Sequence, residues 1–253
     1  MLTFSKRAAR NLLESFIDWY GYELKEKTKP LRRTDRFLSY VRRQGFSPQT
    51  IIDIGVGRGT EWLHTSFPNA YFILIEANPE FRESIESILN KHQGEFHLTA
   101  VGSNIGKEIL RVNVFHPTSS SLSALEPKYR KKLMRRGSSE KIHAIEVPMT
   151  TLDTIAFRRL KLPILIKLDI EGHEIEALKG GRALLDQTEM VIAEVSVAAR
   201  FQGAASCGEF LAFMEACGFA LFDVVDLGQL GADGPLVSMD VALLRKDSRL
   251  WCA

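Results

Sequence analysis

The spacing of apolar residues changes rhythm near residue 50. Before it, Phe4, Leu12, Leu13, Phe16, Ile17 and Tyr20 recur near helical spacing, with Lys6, Arg7 and Arg10 on the approach. This predicts an amphipathic helical segment over residues 1–46 that packs through its apolar stripe. Glu14, Asp18 and Glu23 interrupt its basic face, which makes binding to a membrane surface the weaker reading. From Thr50 short apolar runs alternate with helical stretches: strand Ile51–Ile54, helix Glu61–Phe67, strand Tyr71–Ile75, helix Pro79–Asn90 and strand Glu95–Val101. Strands alternating with helices require a parallel sheet, because each crossover must pack on a face of it.

After Val101 the alternation breaks. Residues 108–115 and 142–148 read as extra strands, separated by the Ser-rich stretch Thr118–Ser123 and a charged helix around Lys128–Arg136. This insertion, about 104–149, is a candidate substrate cap; a surface excursion without chemistry is its equal alternative. The pattern resumes with strand Ile164–Ile170, helix Glu174–Lys179 closed by Gly180 and Gly181, strand Met190–Val197, and helix Cys207–Cys217 stopped by Gly218. Phe219–Val225 and Val237–Leu244 are joined through Gly228–Gly234, too short a link for a parallel crossover, so the sheet should close with an antiparallel hairpin. The expected fold is α/β and Rossmann-like, one domain over 47–253 behind the helical segment.

Composition adds bounds rather than detail. With 253 residues the chain supports one main core. Its 45% hydrophobic and 25% charged residues and net charge of +2 suit an ordinary soluble protein, with no global field toward nucleic acid or membrane. The basic stretches Lys25–Arg43 and Lys128–Lys141 hold few stacking aromatics (Phe37, Tyr40 and Tyr129), so solvated helix faces explain them better than a nucleic-acid partner. Cys207, Cys217 and Cys252 have neither metal-site nor disulfide-framework spacing. Without a membrane-length apolar run or a signal-peptide pattern, the expectation is a cytoplasmic protein with no transmembrane segment, and a homo-oligomer is compatible with it.

The chemistry starts at Asp53-Ile54-Gly55-Val56-Gly57-Arg58-Gly59-Thr60, between the first strand and its helix. A tight strand-to-helix turn needs residues without a Cβ, to allow positive φ and close approach of backbone to ligand; Gly55, Gly57 and Gly59 supply them. Glu76 ends the second strand about twenty residues on, where a carboxylate can accept both hydroxyl hydrogens of a ribose. Turn and acid together indicate an adenosyl ligand. Thr60 occupies the third glycine position of the dinucleotide fingerprint, and Asp53 would repel a pyrophosphate but favour an ammonium and a sulfonium. S-adenosylmethionine is therefore preferred to a nicotinamide or flavin dinucleotide. A nicotinamide-dependent oxidoreductase and a non-catalytic binding protein that keeps the cofactor fold are the alternatives.

A second cluster, Lys167-Leu168-Asp169-Ile170-Glu171-Gly172-His173-Glu174, ends the fourth strand. Ligands of open α/β sheets bind beyond the carboxyl ends of the strands at the switch point, so Asp169, Glu171 and His173 should face the transferred methyl group. Here the chain resembles the FkbM family of methyltransferases, from about Thr50 to Val197. The family's strand-four element is matched at Lys167, Asp169, Glu171, Gly172 and Glu174, followed by Leu178-Lys179-Gly180. Further matches are Asn78-Pro79, Ala100-Val101-Gly102, Ser119-Ser120-Ser121-Leu122, Val147-Pro148, Thr151-Leu152-Asp153 and Glu194. Gly57 stands where the family usually has asparagine, and Ala77 where it usually has proline.

The resemblance implies class I methyltransferase architecture, a mostly parallel seven-stranded sheet with an antiparallel last strand, and O-methylation of a sugar, glycan or natural-product hydroxyl. Expected cofactor contacts are Asp53, Gly55, Gly57, Gly59, Thr60, Glu76, Ala77, Asn78, Ala100, Val101 and Asp169. Substrate contacts are expected at Ser120, Ser121, Lys167, Glu171 and Glu194. An aliphatic hydroxyl needs a base as the new bond forms. His173 is the first candidate, since imidazole titrates near neutrality, with Asp169 the competitor and Glu171 an orienting group. Oxygen and imidazole ligands on one turn, Asp169, Glu171 and His173, are also compatible with a divalent metal, but the reading assigns none.

Overall fold

The computed structural model describes residues 33–114, 117–128, 141–156, 160–198, 200–229 and 234–252. The apolar stripe expected from Phe4 to Tyr20 and nearly all of the charged helix expected over Lys128–Arg136 lie outside the described residues. The chain divides into two compact units, Met1–Arg33 and Thr34–Ala253, and both of its sheets belong to the second.

Helix α1 (Arg33–Arg43) buries Phe37, Leu38 and Val41, one face of its helical period, and Phe37 meets Phe222 edge-on at 6.1 Å. A turn through Gly45 leads into strand β1 (Thr50–Ile54), followed by α2 (Glu61–Ser66) and β2 (Tyr71–Glu76). The helix expected over Pro79–Asn90 is in two parts. Asn78 accepts a hydrogen bond from the Glu80 N–H and starts a 3₁₀ turn at Pro79–Phe81, and α3 (Arg82–Leu89) follows once Phe81 has left helical geometry.

The strand expected over Glu95–Val101 also divides. β3 (Gly94–Leu98) pairs with β2, after which the Thr99 hydroxyl donates to the carbonyl of Pro148 at 3.0 Å and turns the chain out of the sheet. β4 (Ala100–Val101) then joins β5 (Gly106–Asn113) and β6 (Ile142–Thr150) in a separate three-stranded sheet, order β4-β6-β5. After α4 (Leu152–Ile155) come β7 (Ile164–Leu168), α5 (Glu174–Lys179), α6 (Arg182–Leu185), β8 (Thr188–Ser196), α7 (Cys207–Ala216), β9 (Phe219–Gln229) and β10 (Leu236–Arg245).

The main sheet has seven strands in the order β3-β2-β1-β7-β8-β10-β9. β10 lies antiparallel to both its neighbours, β8 and β9, while the other described pairings in this sheet are parallel. This is the class I methyltransferase arrangement. The glycine-bearing link brings β10 back between β8 and β9, because a short connection can only reverse the chain. β1 and β7 are buried along their whole length, as expected for strands covered on both faces. One apolar cluster packs Ile52, Ile54, Ile166, Leu178 and Met214 on one face; the other gathers Ile51, Leu63, Leu165, Ile192 and the α1 residues on the opposite face. Among the described residues no helix is long and apolar enough to cross a membrane.

Candidate functional site

The strand order reverses direction between β1 and β7, where the chain leaves β1 one way and β7 the other; at such a switch point the carboxyl ends of neighbouring strands leave a crevice. A cavity of ≈ 300 Å³ opens there, lined among others by Gly57, Thr60, Glu76, Lys167, Asp169 and His173. The Ser-rich part of the insertion covers it through Thr118, Ser120, Ser121 and Leu122.

The glycines of the first turn answer different needs. Gly55 has φ 77°, and a Cβ there would collide with the carbonyl oxygen of Asp169, so this glycine serves the close approach of β1 to the end of β7. Gly59, with φ 116°, would bring a Cβ to 3.1 Å from Ile88. Gly57 differs: its φ is 54°, and the nearest atom to a Cβ would be Thr118 Cγ2 across the cavity, 3.6 Å away. Gly57 thus leaves its side of the cavity open, whereas Gly55 is required by packing and Gly59 by its backbone conformation.

Glu76 is buried at the end of β2 and holds this turn. Its Oε2 accepts the Gly57 N–H and its Oε1 the Asn78 N–H, both at 2.8 Å. Burial pushes the carboxyl up from its ordinary range, against the pull of these two backbone donors. Each oxygen keeps a second lone-pair direction for a ligand hydroxyl.

Asp53 is displaced from its expected place. It is fully buried, does not line the cavity, and pairs across strands with Lys167 at Oδ1–Nζ 3.3 Å. The Lys167 ammonium also donates to the Gly55 carbonyl at 2.8 Å and lies 3.7 Å from Asp169. Burial disfavours the lysine charge, but Asp53 and Asp169 outweigh it and hold its pKa above the usual value. The negative charge expected to meet a sulfonium directly is therefore spent on Lys167. The reason is register: Asp53 and Lys167 are direct neighbours in adjacent parallel strands, which a linear reading of separate motifs does not show.

At the end of β7 the cluster divides. Asp169 and His173 line the cavity, and Glu171 does not. Glu171 has φ 53°, an unusual conformation for a residue with a side chain, and points to the loop after β8, where Arg200 lies 3.2 Å from Glu171 Oε2 and 3.0 Å from Glu194 Oε1. Burial pushes the Glu171 carboxyl up to about 8 in spite of Arg200. Ser121 ties the cap to this point, its hydroxyl donating to the Glu171 carbonyl at 2.7 Å. His173 sits at the start of α5, and burial lowers its pKa, with Glu176 and Glu108 opposing. Asp169, Glu171 and Glu194 offer oxygens within 4.8 Å of one another; Glu194 stands in that group where the sequence suggested His173.

Thr60, Ala77, Ala100, Val101, Ser120, Ser121, Lys167 and Glu194 also reach the cavity wall, and Asn78 is buried behind it, capping the turn at Pro79. Asp240 was not anticipated. It lines the cavity only because β10 returns beside β8 and sets Asp240 opposite Glu194. Arg200, too, has no motif around it that would have marked it.

Residues 53–221 match the model of the methyltransferase FkbM domain. The chain belongs to the FkbM methyltransferase family. An FkbM methyltransferase takes its methyl group from S-adenosylmethionine, and the cavity suits such a donor: Glu76, Asp169, Glu194 and Asp240 in its wall outnumber Lys167 and Arg58, an excess that favours a sulfonium and repels a pyrophosphate. No curated protein matches the chain. Among solved structures, this FkbM chain is similar to the O-methyltransferase TomG from Streptomyces achromogenes, in complex with SAM, at 15% identity over 96% of this chain and 92% of that one, with a TM-score of 0.46. It is also similar to magnesium protoporphyrin IX methyltransferase (ChlM) from Synechocystis PCC 6803, with bound SAM, at 10% identity over 97% of this chain and 100% of that one, with a TM-score of 0.43.

Proposed function

We propose that the protein O-methylates a hydroxyl of a sugar, glycan or other natural product, with Glu76 and the Gly57 turn holding the nucleoside and His173 taking the proton of the acceptor. The observation that carries this reading is the meeting, in one cavity, of the Glu76-braced glycine turn with Asp169 and His173. When bound, S-adenosylmethionine supplies an electrophilic methyl group for in-line displacement. The protein's share is alignment, which can account for most of the acceleration, and management of one proton.

Glu76 would hold the ribose hydroxyls, Gly57 and Thr60 would face the amino-acid part, and Ala77, Ala100 and Val101 would flank the base. Leu110 and Leu122 of the insertion, both in the cavity wall, would exclude water from the reacting atoms. His173 is half-buried, and its lowered pKa keeps the imidazole neutral, the state a base requires. Asp169, in the cavity wall with His173, is held 3.7 Å from the Lys167 ammonium.

His173→Ala and Asp169→Asn should keep adenosylhomocysteine affinity, measured by calorimetry, and lose turnover by roughly 10²-fold or more. If turnover survives His173→Ala, the imidazole is not the base. The pH profile gives a second check. A base with a depressed pKa is active once deprotonated, so kcat/KM should rise with pH along a limb whose midpoint lies below the ~6.5 of a free imidazole, and that limb should vanish in His173→Ala.

Glu76→Gln should weaken adenosylhomocysteine binding by about 10- to 100-fold, since an amide nitrogen would face the N–H of Gly57 or Asn78 and leave a buried donor unpaired. Unchanged affinity in that variant would place the ribose elsewhere.

A further inference from the structure

The far end of the cavity carries a charge pattern that folding alone does not need. β7, β8, β10 and β9 lie side by side, and their registers set Glu194 opposite Asp240 and Asp240 opposite Asp226. Leu168 pairs with Ala193, which carries the next residue, Asp169, alongside Glu194. Four acids thus form one row across four neighbouring strands. Like charges directly across a sheet are destabilising.

The nearby cations do not balance the row. Lys167 is committed to Asp53 as well as Asp169, and Arg200 to Glu171 as well as Glu194. Behind the row Glu171 Oε2 is sheltered from solvent and accepts no hydrogen bond, with Arg200 Nη2 at 3.2 Å. Burial and the charge of Asp169 push Glu194 up to about 7, and burial, Asp169 and Asp226 push Asp240 up to about 6. Asp169, Glu194 and Asp240 all line the cavity. Glu76 lies on β2, three strand spacings from β8 in the sheet order, roughly 14 Å. The nucleoside end and the acidic row are therefore opposite ends of one cavity.

We propose that the acceptor carries a protonated amine beside the hydroxyl that receives the methyl group, and that the ammonium is held by Glu194, Asp240 and Asp169. The inference rests on the methyl-transfer reading and narrows its acceptor class to amino alcohols, amino sugars among them. An ammonium brings three N–H donors to three carboxyl groups, as charge-assisted hydrogen bonds. A divalent cation fits less well, because with Lys167 3.7 Å from Asp169 and Arg200 3.0 Å from Glu194 it would meet twice the repulsion that a singly charged ammonium meets. A phosphorylated or carboxylated acceptor would meet the row with like charge.

The test begins with calorimetry of the whole protein against adenosylhomocysteine; failure to bind would remove the methyltransferase reading and this inference with it. The saturated protein is then titrated at neutral pH with glucosamine, with glucose, and with Mg²⁺. Glucosamine should bind roughly tenfold or more tightly than glucose, and the preference should disappear in Glu194→Gln and in Asp240→Asn while adenosylhomocysteine still binds. Equal binding of the two sugars, no binding of glucosamine, or a Mg²⁺ response abolished by the same substitutions would overturn the proposal while leaving the nucleoside site intact.

Discussion

Gly55→Ala should cost about 3 kcal/mol or more of stability in urea denaturation, and adenosylhomocysteine binding should be lost with it. Two effects add. At φ 77° any side chain is strained, and the new Cβ would run into the Asp169 carbonyl, which belongs to backbone that is itself fixed by the Asp169 N–H donating to the Ile54 carbonyl at 3.0 Å. Neither β1 nor β7 can yield without parting the centre of the sheet. Gly45→Ala provides the control: its φ is 87°, but no atom lies within 4 Å of the added Cβ, so only the conformational strain of about 1 kcal/mol is expected. If the two variants lose equal stability, the approach of the two strands is not what requires glycine at 55.

Lys167→Met should destabilise the protein by about 3–5 kcal/mol, because it removes the counter-ion of a carboxyl group buried at the centre of the sheet. Asp53 is 0% exposed, and neither carboxylate oxygen has a hydrogen-bond donor of good geometry, so Lys167 is its main compensation. The double variant Asp53→Asn/Lys167→Met should recover a large part of that loss, since removing both charges also removes their desolvation cost. A double-mutant cycle in urea separates this from lost packing; additive losses would show that the two charges do not depend on each other. Turnover should stay low in the double variant even where stability returns, because Asp169 has lost the ammonium beside it.

Much of this architecture is legible in the chain itself. The alternation from Thr50, the glycine turn after β1 and the acid after β2 identify the nucleotide-type half of the sheet, because period and turn chemistry are local properties. What stays hidden depends on neighbours that are far apart in sequence. Thr99 divides the strand expected over Glu95–Val101 only because Pro148 waits to accept its hydroxyl. Asp53 reads as a ligand group until the register sets Lys167 beside it. Asp240 sits in an unremarkable strand, and only the antiparallel return of β10 carries it to the cavity. Lys167-to-Glu174 is contiguous in sequence, yet the positive φ at Glu171 sends that side chain to Arg200 while Asp169, Ile170 and His173 line the cavity.

The cap and the loop after β8 are joined by main-chain bonds: the Glu126 N–H donates to the Arg200 carbonyl, and the Gln202 N–H to the Ala124 carbonyl, both at 2.8 Å. These two stretches, more than seventy residues apart along the chain, therefore behave as a single part. Anyone wishing to retarget the enzyme by exchanging loops with a relative would have to transplant both together, since either one alone would arrive without the mate that shapes it and would leave Arg200 out of place between its two glutamates.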